Sequence, residues 1–208
     1  MGLIIFDFDG TIADSLEILI IAANRIAPEY GYPPISMEQI PEFKKLSSRE
    51  IMRYLGLARW RLPFFLQRFR HELTQSMGDL QFIEGMKEVL LKLHQQGHRL
   101  GIVSSNSQQN VERFLQIQGC ADWFEFVYGG QIFSSKAREL SRLVRLNQDR
   151  ERAIVFVGDE TRDVQAAKQA GVKNIAVSWG LNARENLVRS QPDVLIDRPG
   201  ELWAVVGE

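Results

Sequence analysis

Six short apolar runs, at 3–7, 99–104, 126–128, 153–157, 174–178 and 194–196, alternate with stretches whose apolar residues recur every three or four positions. No other feature limits the fold so much. The runs are continuous, rich in Ile and Val, and too short for helices, which suits strands buried on both faces of a parallel sheet. Parallel neighbours cannot be joined by tight turns, so each intervening stretch has to cross over, usually as a helix. The helical patterns at 85–96, 108–118, 136–146, 162–169 and 183–189 supply those crossovers. Gly97, Gly119 and Gly171 follow three of them, where a left-handed C-cap favours a residue without Cβ. The expected fold is α/β, a doubly wound parallel sheet of Rossmann-like type.

One long stretch breaks the alternation. From 16 to 82 the periodicity is helical with almost no strand signal. Helices are expected at 16–27, 49–57 and 63–77, with a short capped turn opening at Ser36 in "SMEQ". The chain leaves the sheet just after Asp14 and Ser15 and returns just before Glu84 and Gly85. Two crossings so close together predict an α/β core of 1–14 and 84–208 with a helical cap, 15–83, hinged over the strand ends. Ligands of such sheets gather at the carboxyl ends of the strands, where Asp7, Ser104 and Asp159 stand.

Composition narrows the function. Of 208 residues, 45% are apolar and 25% charged, enough for one good core and a smaller appendage, and the formal charge is −1. No global field draws such a chain to nucleic acid or anionic membrane, so a charged substrate must be recognised locally. No apolar run is long enough to cross a membrane and no secretory leader is evident. The single cysteine, Cys120, provides no internal disulfide framework, and a cytoplasmic location is expected. A rival class is a binding module using 59–73, "RWRLPFFLQRFRHEL", as a nucleic-acid or membrane-surface helix. Phe65, Phe69 and Leu73 fall at helical spacing there, which more simply buries them against other helices.

The chemistry resides in acids. "LIIFDFDGTIADS" ends an apolar run with Asp7 and Asp9, and residues two apart on an extended segment share a side. Alone they would repel, so they must share a proton or be compensated by a cation. "IVFVGDETRDVQAA" brings Asp159 and Asp163 to a matching strand end. Four carboxylates near one point suggest a hard divalent ion, Mg²⁺ foremost. A single aspartate at such a junction also serves as a helix N-cap, as does Ser104.

"DFDGTIADS", "LGIVSSN", the lysine of "FSSKA" and "GDETRDVQAAKQAG" resemble, in order, the four motifs of the haloacid dehalogenase superfamily. The helical stretch between the first two resembles the cap of its phosphoglycolate-phosphatase-like members. The resemblance implies a Mg²⁺-dependent phosphomonoester hydrolase acting through an aspartyl-phosphate on a small phosphorylated metabolite, with a phosphoglycolate-like compound as the expected example. It implies Asp7 as nucleophile and Asp9 as acid, then base. Ser104 would donate to a phosphoryl oxygen and Lys136 balance the charge of Asp7 and the phosphate. Asp7, Asp9 through its main-chain carbonyl, Asp159 and Asp163, directly or through water, would hold Mg²⁺. Gly10, Thr11, Ser105 and Asn106 would bind substrate. Ser135 stands where many relatives have Gly before the lysine, and Lys168 is an alternative to Lys136. A phosphomutase uses the same acid pair and is the alternative activity.

The cap segment "FKKLSSRE", 43–50, has the position of the stretch that faces the active site in relatives. From 15 to 82 there are nine Lys or Arg and seven Asp or Glu, an excess of positive charge in a chain of net −1. Arg49 is therefore expected to grip an anionic leaving group, with Lys44 and Lys45 as alternatives.

Overall fold

In the computed structural model, which describes residues 2–130, 134–147 and 153–206, the six apolar runs are strands of one sheet. They are β1 (Leu3–Phe6), β2 (Arg99–Val103), β3 (Phe124–Tyr128), β4 (Ile154–Gly158), β5 (Lys173–Val177) and β6 (Val194–Ile196). Their order is β3-β2-β1-β4-β5-β6 and every pairing is parallel. This is the doubly wound order that reverses between β1 and β4, where such folds open a ligand crevice. Asp7 follows β1 and Asp159 follows β4, so the acids of two distant sequence stretches meet at that reversal.

Alternation along each strand divides the core in two. Ile4 and Phe6 face α5 (Met86–Gln95) and α6 (Gln108–Ile117), packing with Leu90 and Phe114. Leu3 and Ile5 face the other layer, α7 (Ser134–Asn147) and α8 (Thr161–Ala170), with Leu140 and Ala167. Phe133, from the lysine-bearing stretch, lies outside the described residues. α9 (Arg184–Arg189) buries Leu187 against Val164 and Ala176, and α10 (Leu202–Val206) ends the described chain.

β3 begins two residues before the expected 126. Glu125 interrupts the apolar run and is read as a break, yet it is exposed on an edge strand and pairs with Arg99 at 2.5 Å. Phe124 then restores the pattern, 8% exposed and opposite Leu100.

Between β1 and α5 run α1 (Leu16–Tyr30), α2 (Ile40–Lys44), α3 (Ser48–Tyr54) and α4 (Leu62–Ser76), packed on their own apolar cluster around Ile26, Tyr32, Leu55 and Phe65. α1 continues past Pro28, beyond the expected end at 27, and stops at Gly31 in the left-handed region. Its last turn is held by Tyr30, edge-on to Phe65 with centroids 5.1 Å apart. The short turn after Ser36 is present, with Ser36 N–H donating to Gln39 Oε1 at 2.9 Å. Phe65 and Leu73 are buried and Phe69 stacks on Phe65, whereas Trp60 and Phe64 are exposed.

Two hydrogen bonds tie the chain's exit from the sheet to its return: Asp14 N–H to Gln81 O and Ile83 N–H to Ile12 O, both 2.9 Å. The loop after α2 docks on the core through Ala183 N–H to Lys44 O at 2.7 Å and Asn186 Nδ2 to Lys45 O at 2.5 Å. Among the described residues, no helix is long and apolar enough to cross a membrane.

Candidate active site

The strand ends hold a buried acidic group. Asp7, Asp159 and Asp163 are 2%, 0% and 1% exposed, and each offers a carboxylate oxygen within 4.8 Å of the others. Lys136, in the first turn of α7, reaches between two of them, its Nζ 2.8 Å from Asp7 Oδ2 and 2.6 Å from Asp163 Oδ1. Lys168 is exposed and donates to Ser190 O at 2.9 Å. Of the two lysines proposed from the sequence, the fold brings Lys136 to the acids.

Burial works to raise the Asp7 carboxyl, but Lys136 and Arg162 beside it, with the Phe8 N–H at 2.8 Å, bring it below its ordinary value. Burial also works against the Lys136 ammonium, and the adjacent Asp163 and Asp7 more than offset it. Asp9 is half-buried on a cavity wall; burial and the neighbouring Asp7 push it up to about 6. Burial, Glu160, Asp7 and Asp163 raise Asp159 well above its ordinary value. Asp163 rises to about 7 through burial, with Lys136 opposing.

These acids exceed the cations beside them, and Asp159 is raised first by its burial and then by its acidic neighbours. All-oxygen donors of that kind fit a hard divalent cation. Asp163 Oδ1 accepts from Lys136 and Oδ2 from Glu160 N–H at 3.1 Å, which holds the carboxylate in place. The Asp9 side chain is outside the acidic trio and meets Asn106 Nδ2 at 3.0 and 3.3 Å.

Local structure explains the placement. Gly10 has φ +73°, and a Cβ there would overlap the Asp159 carboxylate; one at Gly180 would do the same. Thr11 Oγ1 donates to Asp159 Oδ1 at 2.7 Å and Leu181 N–H to Oδ2 at 2.7 Å, fixing that side chain. The N–H groups of Gly10 and Thr11, both expected to meet substrate, donate to Ala13 O and Phe8 O and build the turn beside Asp159.

Ser104 follows β2 and is fully buried, its Oγ accepting Asn106 N–H at 3.1 Å and keeping its own hydrogen to donate. Ser105 and Asn106 line, with Asp9, a cavity of about 270 Å³ between the strand ends and the helical unit. Leu19, Ile51 and Phe69 form part of its apolar wall, and Lys44, Arg70 and Arg162 bring positive charge. Arg49, in the first turn of α3, is exposed and does not line the cavity. The capping box at Ser47 and Glu50 starts that helix, and the cationic wall comes from Lys44, Arg70 and Arg162.

Two arginines that no motif marks also join the site. Arg162 donates to Glu160 Oε1 at 2.9 Å and to Ser105 Oγ at 3.2 Å. Its signal was its place in the first turn after Asp159, amid acids. Arg70 Nη2 donates to Ser105 O at 3.2 Å, a contact that depends on how α4 docks and leaves no local signature.

Residues 4–177 match the family model described as haloacid dehalogenase-like hydrolase. The chain is 43% identical over 206 residues to a phosphoglycolate phosphatase of Synechococcus elongatus, covering 99% of this chain and 97% of that protein. It is 31% identical to a phosphoglycolate phosphatase of Vibrio cholerae, covering 98% and 96%. In fold it is similar to a haloacid dehalogenase-like family hydrolase from Streptococcus pneumoniae, with TM-score 0.81, 22% identity and coverage of 99% and 98%.

Proposed function

The chain belongs to the haloacid dehalogenase-like hydrolase family, and from that premise we propose that it is a cytoplasmic, Mg²⁺-dependent phosphatase of small phosphorylated metabolites of the phosphoglycolate kind. The observation that carries the reading is the asymmetry of its acid pair. Lys136 helps hold Asp7 ionised, as a nucleophile must be, while Asp9 is pushed up to about 6, as an acid must be.

In the proposed reaction an Asp7 oxygen attacks phosphorus as the bond to the leaving oxygen breaks, and Asp9 gives that oxygen its proton. The aspartyl-phosphate is then attacked at phosphorus by a water whose proton returns to Asp9; the bond to Asp7 breaks and inorganic phosphate leaves. Ser104 and Lys136 stabilise charge on the phosphoryl oxygens. Asp7, Asp159 and Asp163, with the Asp9 main-chain carbonyl, would hold Mg²⁺, which when bound neutralises the same charge. Residues 15–83 act as the cap over 1–14 and 84–208. Arg70, with Lys44, takes the role first expected of Arg49, meeting an anionic leaving group from the cap side.

The test is hydrolysis of phosphoglycolate and p-nitrophenyl phosphate with Mg²⁺, by the chain and its Asp7→Asn variant. The variant should retain its fold and lose at least ~10⁴-fold in kcat. Near-normal turnover in it overturns the mechanism.

A further inference from the structure

We infer that Asn110 is a positioning residue for Asp9 and takes its own orientation from Thr74, so that the helical unit, when docked, sets the aim of the acid–base group. The inference rests on the role proposed above for Asp9.

Start from the amide next to Asp9. Asn106 Oδ1 accepts twice, from Ser107 N–H at 2.8 Å and from Asn110 Nδ2 at 3.0 Å. With its oxygen fixed, the Asn106 amide can turn only its NH₂ to Asp9, and that nitrogen lies 3.0 Å from Oδ2 and 3.3 Å from Oδ1. Asn110 is 1% exposed, so its own amide must be satisfied internally. Its NH₂ is committed to Asn106, which leaves Oδ1 facing Thr74 Oγ1 at 2.9 Å.

Thr74 has one hydroxyl hydrogen and two acceptors, because the Arg70 carbonyl also lies 2.9 Å away. Sent to Arg70, it would leave two oxygens face to face with nothing between them. Sent to Asn110, it completes a row in which every donor points toward Asp9. Without the first link Asn110 can turn an oxygen toward Asn106, and Ser107 N–H alone is left to fix the Asn106 amide that faces Asp9.

The first link belongs to α4, whereas Asn110 and Asn106 belong to the core. Arg70 and Thr74 are one turn apart and share a face of α4. Arg70 reaches Ser105 O at 3.2 Å, so the same face grips 105–110 at two points. Seating α4 therefore orders Asp9, and lifting it releases Asp9. This ties the proton transfers of Asp9 to the docked helical unit.

Thr74 is exposed and Thr74→Val preserves shape, so this variant should fold. Kinetics with phosphoglycolate, whose alkoxide leaves only with a proton, and p-nitrophenyl phosphate, which needs little protonation, separate positioning from general damage. Thr74→Val should lower kcat about tenfold on phosphoglycolate and less than about twofold on the aryl ester, with KM little changed. Thr74→Ser should restore the rate. Asn110→Leu should cost about 100-fold on phosphoglycolate with the same sparing of the aryl ester. Equal losses on both esters, a change in KM alone, or wild-type kinetics in Thr74→Val would overturn the inference while the phosphatase reading stands. A wild-type chain inert toward both esters would sink both.

Discussion

Lys136 is 3% exposed, and burying an ammonium is tolerable there only because two carboxylates face it. Lys136→Ala removes the cation from between Asp7 and Asp163 and from beside the proposed phosphoryl site. It should lower kcat by about 10²- to 10³-fold, the range for losing one preorganised charge partner. Lys168→Ala, at an exposed position bonded to Ser190 O, should leave kcat within about twofold. Comparable losses in the two variants would undo the assignment. At this scale the sequence was readable where chemistry demands a residue type at a fixed place. Asp7, Asp9 and Asp159 stand at strand ends and Asp163 in the first turn of α8, and of the four expected together Asp7, Asp159 and Asp163 converge. It was unreadable where a role depends on what a neighbour already satisfies. Thr11 supports Asp159 because that acid lies within 2.7 Å, and nothing in "DGT" announces it.

Among the elements, α4 has the most demanding sequence. One side buries Phe65 and Leu73 in the helical unit, and another carries Arg70 and Thr74 to the core. Phe65 meets Tyr30 edge-on at 5.1 Å and Phe69 face to face at 5.8 Å. Phe65→Ala should destabilise the helical unit by about 3 to 5 kcal/mol through lost burial and the cavity left behind. Urea unfolding followed by circular dichroism would read this, and a loss below about 1 kcal/mol would show that the cluster is not the unit's core. The helical spacing of Phe65, Phe69 and Leu73 made the buried side legible, since periodicity records which residues avoid water. It could not tell that α1 would run through Pro28, because the holding contact comes from Phe65 across the unit. Nor could it place the start of β3, where Glu125 looks like an interruption until its edge position and Arg99 are known.

For the whole molecule, the excess of buried acid means that a bound Mg²⁺ would stabilise the fold, and the fold the site. Any ligand bound by the folded state alone stabilises it, by about 2.7 kcal/mol at a hundredfold excess over Kd. For a chain of this length that corresponds to a rise in Tm of about 5 to 10 °C. Saturating Mg²⁺ should produce such a rise in a thermal scan, EDTA should abolish both the rise and hydrolysis, and Asp159→Asn should no longer respond. Undiminished hydrolysis in excess EDTA would contradict the acidic trio as a metal site. The doubly wound sheet and the place of the acids were within reach of sequence reasoning because few topologies satisfy six buried parallel strands. Docking of the helices on the core was not, because it depends on single contacts such as Ala183 N–H to Lys44 O. The paired bonds at 12–14 and 81–83 have one more consequence. The excursion between them begins and ends at neighbouring points, so the path of the sheet does not pass through it. A short reverse turn would close the gap. Descent can therefore exchange this pendant for another of different length or shape, altering which molecules are admitted, without rewriting the strands that perform the reaction.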